Sequence, residues 1–168
     1  MKWIAIPIVA AALAAPAVAA KTVPGFIGAT RAVEIAEQAV GGQVLEVELD
    51  HRRNRTVYEL ELVKDDALHE VDIDARSGKV VARRTPVVQG YWKRFKDADE
   101  FREAGRARPL SELLHKLERS SGGQVVDASF EIERGQARYE VEIVTAAGKA
   151  ELYLDPQTGR RLAFVLDD

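Results

Sequence analysis

The feature that most constrains this chain is a repeat of itself. Gly41-Gly42-Gln43-Val44 recurs as Gly122-Gly123-Gln124-Val125, and Tyr58-Glu59-Leu60-Glu61-Leu62 recurs as Tyr139-Glu140-Val141-Glu142-Ile143. Both matches share one offset of 81 residues, which also carries Thr30 onto Ser111, Asp74 onto Asp155 and Ser77-Gly78 onto Thr158-Gly159 without a gap. An ungapped repeat fixes the unit whose fold must be explained, and here that unit fits twice into the chain.

Each unit reads as one helix followed by alternating strands. Thr30 is placed to cap a helix in which Ala32, Val33, Ala36, Ala39 and Val40 recur at helical spacing, with Glu34 and Glu37 facing away. In the second unit Ser111 takes the capping place, and Leu110, Leu113, Leu114 and Leu117 form the apolar stripe. The Gly-Gly pair ends both helices, because glycine reaches the left-handed closing conformation without steric cost. Strict alternation follows. Leu45, Val47 and Leu49 point one way, then Tyr58, Leu60 and Leu62, then Val71 and Ile73, with acidic residues between them. Phe130 and Ile132, Tyr139 to Ile143, then Leu152 and Leu154 repeat the scheme. A short fourth strand, Lys79 to Val81 or Arg161 to Leu166, completes each sheet. The expectation is an α+β chain of two tandem two-layer modules, each a helix packed on an antiparallel sheet of three to four strands. Modules of roughly 50 to 60 residues have marginal cores, so the two are expected to pack together or to be sealed by the segment between them.

The first module is expected over residues 26–81 and the second over 110–168, joined by a basic, aromatic linker at 82–109. Residues 1–20 read as a secretory leader: Lys2 gives a positive start, Trp3 to Val18 is apolar and small, and Ala17-Val18-Ala19 supplies a cleavage pattern, with the cut near Ala19 or Ala20. Pro7 and Pro16 interrupt the run, and a spanning helix wants about 20 strongly apolar residues, so stable membrane insertion is not expected once the leader is removed. The chain has no cysteine, which excludes disulfides and thiolate metal sites and leaves packing to hold the fold. Its formal net charge of −3 does not suit a nucleic-acid partner. The linker is unusual in carrying Tyr91, Trp92 and Phe95 interleaved with Lys93, Arg94 and Lys96. Such aromatics either pack onto the modules or form a partner-binding patch, since aromatic and arginine side chains are enriched at binding hot spots.

Chemistry is harder to find. His51, His69 and His115 stand apart from one another, with neither ligand-like spacing nor a nucleophile beside them, so no catalytic residue, metal site or cofactor is expected. Asp72-x-Asp74-x-x-Ser77-Gly78 has Ser77 and Arg83 where a calcium loop needs glycine and a bidentate carboxylate, and it reads as an aspartate-capped turn. The outward carboxylates Glu46, Glu48, Glu59, Glu61, Glu70 and Asp72, with Asp127, Glu131, Glu140, Glu142 and Glu151, form either a solvated strand face or an acidic surface. Such a surface would suit a basic partner or weakly gathered divalent cations.

The order of cap, alanine-rich helix, Gly-Gly, alternating strand, Tyr-Glu-Leu-Glu-Leu strand and Val-Asp-Ile-Asp-Ala-Arg-Ser-Gly-Lys-Val resembles the PepSY domain family. Thr30 to Val81 follows the pattern over its whole length, and Ser111 to Leu162 follows it with a leucine-rich helix in place of spaced alanines. The resemblance implies an exported, periplasmic or secreted protein without chemistry of its own, which binds a protein partner such as an envelope peptidase or the sensory domain of a receptor. The alternative to weigh against it is an envelope cation sensor or buffer acting through the acidic sheet faces.

Overall fold

A computed structural model describes residues 25–65, 67–85 and 102–166. Their order is α1 (Ala29–Val40), β1 (Gln43–Arg52), β2 (Arg55–Lys64), β3 (Ala67–Asp74), β4 (Val80–Arg84), then α2 (Leu110–Ser121), β5 (Gln124–Glu133), β6 (Gln136–Thr145), β7 (Gly148–Leu154) and β8 (Arg161–Leu166). Each repeat is therefore one helix and a four-stranded meander. The first fourth strand reaches Arg84, three residues beyond the run expected from alternation.

The two meanders are not separate sheets. They join edge to edge through β1 and β5 into one eight-stranded antiparallel sheet of order β4-β3-β2-β1-β5-β6-β7-β8. The seam is narrow, with Glu46 opposite Ser129 and Val47 opposite Ala128. Val47 and Ala128 are equivalent residues under the 81-residue shift, so a pseudo-twofold axis passes through that pair. Joining there pairs one of the two outer strands of each meander, β1 with β5, and leaves β4 and β8 as the outer strands of the combined sheet.

One apolar cluster serves both repeats. Ala32, Val33 and Ala36 of α1, Leu110, Leu114 and Leu117 of α2, and Val47, Leu60, Val71, Ala128, Val141 and Leu152 of the sheet all belong to it. The small residues of α1 let its backbone come close to the strands, while the leucines of α2 fill a wider gap. Ala104, in the helical turn before α2, is also fully buried in this cluster. Thus the expectation that the repeats seal one another is met by a shared sheet and core, each gaining the apolar cover that a module this small lacks alone.

Two cap assignments made from sequence are corrected. Gly28 and Pro109 hold the N-cap positions, and neither Thr30 nor Ser111 caps its own helix. Both lie in the first helical turn, and Thr30 is buried. The Gly-Gly pairs do end both helices, with Gly122 in the left-handed conformation. Gly42 has a second role: at φ 113°, a Cβ there would stand 2.4 Å from the Val63 carbonyl oxygen, so only glycine lets the chain enter β1 this close to β2. The β5–β6 hairpin turns through Arg134 and Gly135, at φ 51° and 77°, the positive values that a tight two-residue turn demands.

Candidate functional site

With the helices on one side, the other side of the sheet collects the outward carboxylates. Register places Glu46 beside Glu61 and Glu61 beside Glu70, while Glu48 lies beside Glu59 and Glu59 beside Asp72. In the second repeat Asp127 lies beside Glu142 and Glu142 beside Glu151. Like charges so arranged repel, at some tenths of a kcal/mol per pair. Cations set among them offset this. Arg52 donates to Asp50 (2.7 Å), Asp72 (2.7 Å) and Glu59 (2.5 Å), and Arg84 donates to Glu70 (2.8 Å) and to both oxygens of Asp72 (2.8 and 3.1 Å).

Asp72 is thereby corrected from an outward, solvated residue to a buried one, 1% exposed and clamped between two guanidinium groups. Burial pushes its carboxyl up, but hydrogen bonds from Arg84 and Arg52 outweigh burial and hold it below the usual carboxylate range. The two arginines were not legible as partners, because one lies at a hairpin end and the other in what reads as linker.

The second repeat departs from this pattern. Tyr153 stands where the first repeat has Asp72, and the Arg138 guanidinium lies 4.1 Å from the centre of its ring. Arg138 also pairs with Glu131 (3.1 Å) and with Glu133, and Lys149 pairs with Glu142 at 2.5 Å. Beside the seam, Asp127 is surrounded by like charge. Burial, reinforced by Glu46, Glu142, Glu48 and Glu140, pushes its carboxyl up to about 7.

The repeats are cross-bolted on the helix side. Tyr139, fully buried, donates to the Val44 carbonyl (2.7 Å) and accepts from the Gln43 side-chain amide (2.9 Å), both in the other repeat. Val44 borders a bulge in β1, at which the ladder shifts register, so the tyrosine reaches the strand where its regular pairing is interrupted. Glu37 and Glu34, read from sequence as facing away, instead meet α2. Glu37 accepts from the Ser111 hydroxyl (2.5 Å) and backbone N–H (3.2 Å), and Glu34 bonds His115 at 2.5 Å. The His115 bond, with that of Arg31, keeps the Glu34 carboxyl below its usual range.

The remaining candidates fall into place one by one. His51 bonds the Thr56 hydroxyl and His69 bonds the Thr85 hydroxyl. Asp74 accepts from the backbone and hydroxyl of Ser77, and Asp155 does the same for Thr158, so both are turn caps. Among the described residues, no three acidic or histidine side chains converge in a way that could hold a metal ion. No helix among them is long and apolar enough to cross a membrane. The leader expected over residues 1–20 and the linker trio Tyr91, Trp92 and Phe95 lie outside the described residues.

Among the described residues, three kinds of surface could meet a partner. One is the acidic sheet face. A second is formed by the edges β4 and β8, which carry the exposed and mutually equivalent Val81 and Leu162. The third is a groove between the N-terminal turn of α1 and the C-terminal turns of α2.

Comparison with known proteins adds two findings. The family described as "Peptidase propeptide and YPEB domain" (PepSY) matches residues 27–84 and again residues 109–163. Among solved structures, a crystal structure of a "putative lipoprotein" from Clostridium difficile 630 is similar at 18% identity and a TM-score of 0.43, covering 83% of this chain and 93% of that one. No curated protein matches the chain.

Proposed function

The chain belongs to the PepSY family, in two tandem copies, and from that premise we propose that it is a non-enzymatic protein-binding module of the cell envelope. Its role in this reading is to restrain or regulate an envelope peptidase or the sensory domain of a receptor. The observation that carries the reading is the double match to a family described by peptidase propeptides, set on a single sheet whose two outer edges are unpaired among the described residues. An edge strand can accept an extended segment of a partner by main-chain hydrogen bonding, a geometry suited to holding a peptidase in check. The acidic face supplies long-range attraction for a basic partner. Cation buffering through that face has less support, since arginine and lysine already engage several of its carboxylates.

Export through the leader, with cleavage near Ala19 or Ala20, belongs to the same proposal, and mass spectrometry of the mature N-terminus tests it. Binding is tested by affinity capture from an envelope extract, with a Tyr91, Trp92 and Phe95 triple-alanine variant in parallel. Recovery of a peptidase or receptor by the parent protein supports the reading, and its loss in the variant would put the binding patch in the linker. Retention of nothing specific by either bait argues against the reading.

A further inference from the structure

The 81-residue shift makes the two helix N-termini equivalent in sequence position, yet they are finished differently. At α2, the Ser111 N–H and hydroxyl both donate to the Glu37 carboxylate. The same shift makes Thr30 and Glu118 the corresponding pair at α1. Glu118 instead accepts from the Val125 N–H at 3.0 Å, and the Thr30 hydroxyl is buried without a hydrogen-bond partner. Buried polar groups are rarely left so.

Thr30 lines a groove of about 410 Å³ together with Gly28, Arg31, His115, Glu118 and Arg119. Glu34, also in the groove, is already held by Arg31 and His115. Arg119 pairs with no carboxylate among the described residues, and the start of a 12-residue helix adds the positive end of its dipole.

We propose that this groove binds a glutamate side chain of a partner polypeptide, whose carboxylate takes at Thr30 the place that Glu37 takes at Ser111. The chemistry is set by the second repeat, where the occupant is a glutamate presented by folded chain. The volume exceeds what a bare carboxylate fills and accommodates the side chain with its flanking backbone. Arg119 supplies the charge at the rim, Glu118 stays committed to the Val125 N–H, and groove side chains move aside on binding to open the Thr30 hydroxyl, which is closed to solvent in the free protein. The proposal rests on the protein-binding reading and deepens it by naming one contact.

The test needs no partner. N-acetyl-glutamate N-methylamide, and its glutamine counterpart as control, are titrated into the protein while backbone amides are followed by NMR. The glutamate probe is expected to give saturable shifts at Gly28 to Ala32, at least tenfold weaker with the glutamine probe, and Arg119→Ala is expected to weaken binding threefold or more. Glu37→Ala vacates the second position, so the Ser111 amide should then respond to the same probe. Silence at Gly28 to Ala32 in the parent protein, equal response to both probes, or a Thr30 amide that Glu118→Gln shifts because Glu118 caps it in solution, would each overturn the proposal. A silent groove with the partner still captured rejects this contact alone. A responsive groove with no partner captured rejects the broader reading.

Discussion

Replacing Tyr139 by phenylalanine tests whether the two repeats fold as one body. The ring is fully buried and would keep its packing, including the edge-on contact with Phe130 at 5.2 Å. Only the hydroxyl is lost, and with it the bonds to the Val44 carbonyl and the Gln43 amide. Each bond contributes about 1 kcal/mol net, and a buried group stripped of its partner costs about 1–3 kcal/mol. Gln43 keeps its second bond, to the Arg108 carbonyl at 3.1 Å, so most of the penalty falls on Val44. The expected loss is roughly 2–3 kcal/mol. With a urea slope of about 2 kcal/mol/M, the midpoint should move down by about 1 M. The transition should remain single when followed by far-ultraviolet circular dichroism and by tyrosine and tryptophan fluorescence. A midpoint shift below about 0.3 M, or two separate transitions in the parent protein, would refute the idea of one cooperative core bolted across the repeats.

Four further outcomes are expected. Asp127→Asn should stabilise the protein by more than about 1 kcal/mol at pH 8. The Asp127 carboxyl sits at about 7 in the fold, above the ordinary value of 3.8, so its stabilising protonated form is complete below the lower value and is lost as pH rises through the higher one. The advantage of the variant should therefore shrink as melting is repeated from pH 8 down to pH 4. Asp72→Ala should cost about 1–3 kcal/mol by urea denaturation, less than a fully buried pair, because Arg52 and Arg84 are partly exposed and can rehydrate. Gly42→Ala should cost more than about 2 kcal/mol, or prevent folding, because the new Cβ meets the Val63 carbonyl. Thr30→Val, which removes a buried hydroxyl without a partner, should leave the melting temperature unchanged or raise it.

How far the sequence reaches can be seen in particular residues. The repeat, the helix stripes and the strand order within each meander were legible, because period and offset are properties of a single chain segment. Val71 and Ile73 are buried as alternation requires, and the Asp74 and Asp155 turns cap as their composition predicts. The joining of β1 to β5 was not legible. Nothing in the alternation of Glu46, Val47 and Glu48 says whether their outer edge meets water or another strand. Glu37 and Asp72 were misread for a related reason. Polar residues at outward-facing phases are solvated only if no other element covers them, and here α2 covers one while two arginines from distant positions cover the other. Thr30 was misplaced by two residues because a capping residue type was taken to be in the capping position, while Gly28 holds the N-cap.

The axis through Val47 and Ala128 has a consequence for stoichiometry. Two identical chains meeting at such an axis would show every surface twice, and a partner could dock in either of two equivalent orientations. Here the halves are covalently linked and have diverged: an arginine-clamped aspartate on one flank answers an arginine-stacked tyrosine on the other. The two outer edges stay equivalent in position, but these two flanks differ, so a partner that reads either flank finds one such place per chain.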